Sequence, residues 1–177
     1  MARWRERPQE SPTRASRASV GAPMMTRWFD TSSRRRVCVL HAHGSSDWPA
    51  TPSWDGEHFA LFVATDRDLD LGSIPARALE QGLAAVAAWG VGCEDVESAF
   101  DDAIVGDGSK VEDLDDVILT TSHAEESLRE ALEFFLGVFF PTTSYQERCR
   151  AGVIFAIGSV AHDVEKLLLE RGAERSA

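Results

Sequence analysis

Cys93 and His123 are the two side chains best suited to catalysis, because an imidazole beside a thiol is the simplest thiol nucleophile. The sequence predicts Cys93 in the first turn of a helix, where the helix dipole favours the thiolate. Glu94 and Asp95 follow directly, and their negative charge favours the neutral thiol. A cysteine- and histidine-dependent hydrolase or transferase is therefore one hypothesis, and a thiol that only packs is the other.

His123 is predicted to begin a helix, because Ser122 and Glu125 have the spacing of a capping box. A helix N-terminus disfavours the imidazolium ion, so we expect a neutral ring that can act as a base or bind a metal. A local hydrogen bond beside the capping serine is the structural alternative.

His41 and His43 lie two residues apart in an apolar segment that predicts a strand, so their side chains share one face. Two imidazoles on one face can bind zinc if Asp47 or His58 supplies a further ligand. The chain has neither a C-x-x-C nor an H-E-x-x-H motif, which would be stronger zinc signals. Metal binding is therefore a third hypothesis, and the leading expectation is a protein with no metal site and no cofactor.

The segment Gly90-Val91-Gly92 is only part of a dinucleotide-binding motif. The position of the third glycine falls at Asp95, whose charge would repel a pyrophosphate. The phosphate-binding loop G-x-x-x-x-G-K, the nucleophile elbow G-x-S-x-G and the kinase motif H-R-D are absent from the sequence. These observations argue against the NAD(P), P-loop, elbow-hydrolase and kinase classes.

An alternation of apolar strands and amphipathic helices after Arg36 must position these residues. Short apolar runs predict five strands, and apolar residues spaced three and four apart predict four helices. The strongest helical pattern precedes Pro141 and includes Leu128, Leu132 and Phe135. The predicted strands are 37–43, 58–65, 84–89, 117–121 and 153–157, and the predicted helices are 75–82, 93–104, 122–140 and 160–171.

This alternation predicts an α/β fold, a three-layer sandwich with a mostly parallel five-stranded sheet and helices on both faces. No helical pattern separates the first two strands, so we expect the first strand to pair antiparallel with the second. Ligands of such sheets bind at the carboxyl ends of the strands. The binding residues predicted on this basis are Asp66, Trp89, Glu94, Thr121 and Glu125.

Charge is divided unevenly along the chain. Residues 1–36 contain nine arginines and three acids, whereas residues 37–177 contain nine basic and 26 acidic residues, a net charge of −17. An acidic body repels phosphate backbones, so we do not expect nucleic acid as a partner of the folded part. We predict a disordered Arg-rich extension over residues 1–36, a single domain over 37–172 and a C-terminal tail over 173–177.

The remaining composition favours a small cytoplasmic protein. No apolar run approaches the roughly 20 residues that span a bilayer, and no apolar stretch of roughly 7–15 residues marks a secretory signal. Three widely spaced cysteines are typical of a reducing compartment. Met24 and Met25 offer an alternative start, which would make the preceding residues a mis-assigned extension. The leading hypothesis is a small acidic module that binds an unidentified protein or small molecule, with enzymatic activity left open.

Two segments resemble the signature of an uncharacterised bacterial α/β family. One runs from Ala88 to Cys93 (AWGVGC) and the other from Thr120 to His123 (TTSH), within a likeness that spans roughly 59–139. The family has a tryptophan where this chain has Ser122, so the resemblance does not imply a ligand stacked at that position. It implies no activity, and it marks Trp89, Cys93 and His123 as a group of interest.

Overall fold

The computed structural model describes residues 25–31, 35–51, 54, 56–106 and 117–176 of the 177-residue chain. Its centre is one seven-stranded sheet. The strands are β1 (Met25–Asp30), β2 (Arg36–Ala42), β3 (His58–Thr65), β4 (Leu83–Gly90), β5 (Leu119–His123), β6 (Cys149–Ile157) and β7 (Glu174–Arg175). The helices are α1 (Ile74–Glu80), α2 (Cys93–Val105), α3 (Leu128–Gly137), α4 (Thr143–Gln146) and α5 (Val160–Glu170).

The strands are arranged in the order β5-β4-β3-β6-β2-β1-β7. The five strands from β5 to β2 are parallel, whereas β1 pairs antiparallel with both β2 and β7. The α/β prediction is therefore confirmed, and the sheet is mixed and has seven strands where the sequence predicted five.

The predicted antiparallel pairing of the first two strands is wrong. β6 lies between β2 and β3 and is parallel to both. Among its described residues, the connection from β2 to β3 contains the short 3-10 helix Ser45–Asp47 and no α-helix, yet Trp48 and Trp54 are buried in it. These two indoles give the connection an apolar surface, which packs on the sheet where it crosses between the parallel strands.

The expected disorder of the N-terminal extension does not hold for Met25–Asp30, which forms β1. Phe29 in this strand is fully buried, and Arg35, also within the predicted extension, is 6% exposed. At the other end, β7 lies within the predicted C-terminal tail and pairs with β1. The predictions for residues 1–24, 32–34 and 177 lie outside the described residues.

Helices cover both faces of the sheet. Alternate side chains of each strand point to opposite faces of the sheet, so the apolar strands present an apolar surface on each side. A pair of helices packs on each of these surfaces. On one face, which we call the α1/α2 face, α1, α2 and the two buried tryptophans enclose an apolar cluster. On the other, the α3/α5 face, α3 and α5 pack over Phe62, Ile154 and their neighbours.

The N-cap predicted at Ser122 lies five residues later, at Ser127. Ser127 caps α3, and its side chain and that of Glu130 form a reciprocal capping box. Ser122 instead lies in β5, which continues its pairing with β4 as far as the partners His123 and Trp89. His123 is therefore the last residue of a strand, not the first of a helix. No helix among the described residues is both long and apolar enough to cross a membrane.

Candidate functional site

The carboxyl ends of β3, β4 and β6 surround a cavity of about 400 Å³. β3 and β6 are neighbours, but the helices that follow them, α1 and α5, pack on opposite faces of the sheet. Chains that diverge in this way leave a crevice between the ends of the two strands. The cavity opens from this gap towards the α3/α5 face. We call this cavity the crevice.

Apolar side chains form the walls of the crevice. They come from the end of β4 and from the helices α3 and α5, and they are Trp89, Leu128, Val160 and Leu167. The indole of Trp89 is fixed in place, because its Nε1 donates a hydrogen bond of 2.8 Å to the backbone carbonyl of Glu126. The crevice therefore has one rigid aromatic wall.

Asp66 closes the crevice where β3 and β6 end. Its Oδ2 accepts hydrogen bonds of 2.7 Å from both the backbone N–H and the hydroxyl of Ser159, which precedes α5. Its Oδ1 accepts a hydrogen bond of 2.9 Å from Arg67 Nε. The bonds from Ser159, and then that from Arg67, hold the pKa of Asp66 well below its usual range. Asp66 is therefore a carboxylate at neutral pH.

Gly158 permits this contact between Asp66 and α5. Its φ is +86°, in the region that favours glycine, and a Cβ at this position would lie 2.1 Å from Asp66 Oδ1. Gly90 has the same role beside β3, since its φ is +100° and a Cβ would lie 2.0 Å from the carbonyl oxygen of Thr65. Both glycines keep the strand ends close together at the crevice.

The rim of the crevice is polar and carries both signs of charge. Besides Asp66 and Ser159 it contains Ser127, Arg129, Asp163, Lys166 and Glu170. Arg129 and Glu170 form an ion pair of 2.6 Å across α3 and α5, and Lys166 lies 3.9 Å from the same carboxylate. Exposed pairs of this kind contribute little to stability, so the rim charges are available to a ligand.

His123 is buried beside the crevice, at the end of β5. Its Nδ1 lies 2.9 Å from a carboxylate oxygen of Glu126, and its ring packs at 4.7 Å from the ring of Phe134. Its Nε2 is buried and has no hydrogen-bond partner among the described residues. Since Glu126 also accepts the bond from Trp89, one residue holds both side chains in place. His123 is therefore fixed next to the strand end that carries Trp89.

Cys93 lies on the other side of the sheet. It is the first residue of α2, is 2% exposed and belongs to the cluster on the α1/α2 face. His123 pairs in register with Trp89 and contacts Phe134, both of which pack on the α3/α5 face. The structure therefore does not bring the predicted thiol and base together.

The predicted binding residues are divided in the same way. Asp66 and Trp89 line the crevice, whereas Glu94, Thr121 and Glu125 are not among its described lining residues. Glu94 is exposed in the first turn of α2, and Glu125 is exposed in the turn before α3. Thr121 lies in β5, where it pairs with Ala87 of β4.

The two histidines of the zinc hypothesis have separate partners. His41 Nε2 lies 2.6 Å from a carboxylate oxygen of Glu165, whereas the backbone N–H of His43 donates to Asp47. His58 is at the opposite end of the parallel strands, where its Nδ1 lies 3.2 Å from the carbonyl oxygen of Gly82. No group of three or more potential metal ligands is close together in the part of the chain that the structure describes.

Comparison with known proteins identifies the family. A family model described as a domain of unknown function (DUF7684) matches residues 37–170. The chain belongs to this family. No curated protein and no solved structure matches it. The expected membership of an uncharacterised family is thus confirmed, and the function of the DUF7684 domain has to be inferred from its own geometry.

Several crevice residues of the DUF7684 domain were not predicted from the sequence. Arg129, Asp163 and Lys166 lie on helices whose sequence pattern indicates only that they cover the sheet. Ser159 follows a strand and could have been assigned by that signal, but its partner Asp66 is 93 residues away. The missing information is which helix packs beside which strand end.

Proposed function

We propose that the DUF7684 domain of this chain is a binding module for a small organic molecule, which is held in the crevice. The observation that carries this proposal is the cavity of about 400 Å³ at the ends of β3, β4 and β6. Small-molecule sites have volumes of roughly 300–1,000 Å³, apolar walls and a few polar groups, and they form where neighbouring strands lead to opposite faces.

A small molecule suits the crevice better than a protein partner does. The apolar surface of Trp89, Leu128 and Val160 is concave and lies below a rim of charged side chains. A protein interface needs an extended surface with an apolar centre. The fixed indole also reduces the entropy that binding would cost, since this wall is already ordered.

Catalysis through Cys93 and His123 is not proposed, and neither is metal binding. Cys93 is almost completely buried on the face opposite the crevice. No observation on the described residues favours the hydrolase, transferase or metal-binding alternatives over a binding module.

The proposal can be tested by titrating the labelled protein with 2-phenylethanol, a small uncharged aromatic probe, and recording backbone amide NMR shifts. We expect saturable shifts at Trp89, Leu128 and Val160. The variant Leu167→Trp should weaken binding at least about tenfold, because the larger side chain fills part of the space in which the probe binds.

Leu169→Trp provides the matched control. Leu169 lies two residues away on α5, is 43% exposed and is not among the described lining residues of the crevice. It should leave the affinity unchanged. Shifts elsewhere on the protein, or equal losses in the two variants, would show that the crevice is not the binding site.

A further inference from the structure

We propose that the ligand of the crevice is a free α-amino acid with an apolar side chain, bound as the zwitterion. This inference rests on the proposed function and adds the chemical class of the ligand. It follows from two opposite charges on adjacent turns of α5, Asp163 and Lys166, which both line the crevice beside its apolar walls.

Asp163 supplies an uncompensated negative charge. Its side chain is exposed in the first turn of α5 and forms no hydrogen bond or ion pair with any other described residue. The second carboxylate at this end, Asp66, already accepts hydrogen bonds from Ser159 and Arg67. The free carboxylate is therefore Asp163, which is suited to an ammonium group.

Lys166 supplies the positive charge. It is 74% exposed, and its contact with Glu170 is long, at 3.9 Å. Glu170 makes a closer pair of 2.6 Å with Arg129, so that carboxylate is already largely compensated. The ammonium of Lys166 is thus available to a ligand carboxylate.

The spacing of the two charges fits an α-amino acid. Residues three apart on a helix are neighbours on its surface, with Cβ atoms about 5–6 Å apart. Asp163 and Lys166 do not form an ion pair with each other in the described structure, so each can face a ligand. An α-amino acid carries its ammonium and carboxylate on one carbon and can bridge such a pair.

The third substituent of that carbon would occupy the apolar part of the crevice. Trp89, Leu128 and Val160 form this part, and Trp89 offers a flat aromatic surface to an aliphatic or aromatic side chain. A ligand with only a carboxylate would meet the negative charge of Asp163, and one with only an ammonium would leave Lys166 without a partner.

Four probes that share a phenyl ring on a short alkyl chain separate these possibilities: phenylalanine, 2-phenylethylamine, 3-phenylpropionate and 2-phenylethanol. They are a zwitterion, a cation, an anion and a neutral molecule near pH 7. We expect phenylalanine to bind about tenfold more tightly than each of the other three, measured by the same amide shifts.

Variants of Asp163 and Lys166 test whether these two residues cause the tighter binding of phenylalanine. Asp163→Asn should weaken phenylalanine about tenfold and leave 2-phenylethanol unchanged, and Lys166→Gln should do the same. Asp102→Asn, an exposed change on α2 at the opposite face, is the control and should alter neither affinity.

The outcomes distinguish the two proposals. If 2-phenylethanol binds the crevice and phenylalanine binds no better, the zwitterion inference is wrong while the binding module stands. If phenylalanine binds more tightly but both charge variants retain that preference, the assignment to Asp163 and Lys166 is wrong. If none of the four probes shifts the crevice amides, both proposals are overturned.

Discussion

The two faces of the sheet bury different chemistry. The α1/α2 face encloses an apolar cluster in which the only ionisable side chains are the thiols of Cys38 and Cys93, among the described residues. The α3/α5 face instead buries Arg35, His123 and Glu165, three side chains that can carry a charge. The crevice opens on this second face.

The two faces also differ in the bonds that fix their helices. Apolar surfaces close over voids, because each unfilled space loses dispersion contacts. On the α3/α5 face, directional bonds add to the apolar packing of the helices: Glu165 of α5 binds Arg27, His41 and Arg175, and Arg35 donates to two carbonyls near the end of α3. The α3/α5 face therefore combines an apolar cluster with buried charged groups, whereas the α1/α2 face has an apolar cluster without them.

The largest expected effect is that of breaking the charge cluster around Glu165. Glu165→Gln removes a carboxylate that is 4% exposed and leaves two guanidinium groups and His41 without their partner. Breaking a fully buried ion pair costs about 3–5 kcal/mol. Because Arg27 and Arg175 are partly exposed and stay hydrated, we expect the free energy of unfolding to fall by about 3 kcal/mol, the lower end of that range. Urea denaturation at neutral pH measures it.

Glu133→Gln is the matched control for Glu165→Gln. Glu133 is an exposed carboxylate on α3, and its loss should change the free energy of unfolding by less than about 0.5 kcal/mol. Equal effects of the two variants would show that the buried charge cluster adds nothing to the stability of the α3/α5 face.

The buried thiol of the α1/α2 face should make the free energy of unfolding depend on pH in alkaline solution. Burial raises the pKa of the Cys38 thiol to about 12. In the unfolded chain this thiol ionises near pH 8.5, so between these values the folded chain holds a proton that the unfolded chain has lost. Stability should therefore fall as the pH rises, by roughly 2–3 kcal/mol between pH 9 and pH 11.

Cys38→Ala isolates this contribution. Urea denaturation between pH 8 and pH 11 should give a shallower decline for the variant than for the parent protein, because the buried thiol is gone. Part of the decline should remain, since burial also raises the pKa of Cys149. Parallel declines in the two proteins would show that Cys38 is accessible to water, and that this face is not sealed.

The N-termini of the helices on the two faces offer a smaller test. α3 begins with the capping box of Ser127 and Glu130, whereas α2 begins at Gly92 without a side-chain cap. Ser127→Ala should cost about 1 kcal/mol and increase hydrogen exchange in the first turn of α3. Ser122→Ala, at the cap that the sequence first suggests, should leave that exchange unchanged.

This comparison of serines shows what the sequence could and could not predict. Ser122 with Glu125 and Ser127 with Glu130 match the same capping pattern, so local sequence does not choose between them. The choice depends on β4, whose pairing extends β5 through His123 and leaves Ser122 inside a strand. Patterns within one element, such as β4 and α2, were predicted correctly, and contacts between distant segments were not.

For the candidate site, too, local features could be predicted from the sequence and contacts between distant segments could not. Asp66 and Trp89 could be predicted to lie at strand ends, because each directly follows or ends an apolar run. The sequence does not reveal that Cys93 and His123 face opposite sides of the sheet, because this depends on where α2 and α3 pack. The order of β6 between β2 and β3 is also non-local, because β6 follows β3 by more than eighty residues.

The smallest expected effect comes from comparing Glu165, which belongs to α5, with Asp66, which binds Ser159 at the N-terminus of α5. Glu165 is buried, whereas the side chain of Asp66 is 31% exposed and is held by Ser159 and Arg67. The pKa of Asp66 is lower in the folded chain than in the unfolded one, so the unfolded chain takes up the proton first as the pH falls. Its contribution to stability is therefore present above about pH 4 and is lost below it.

Asp66→Asn should reduce the loss of stability in acid while lowering stability only modestly at neutral pH, because solvent screens an exposed charge. Urea denaturation between pH 2 and pH 7 compares the variant with the parent protein. Glu133→Gln again serves as the control, since an exposed carboxylate without these hydrogen bonds should leave the acid dependence unchanged. If Asp66→Asn and Glu133→Gln follow the same curve, the bonds from Ser159 do not distinguish Asp66 from an ordinary surface acid, and the strand ends at the crevice are held by the backbone and the glycines alone.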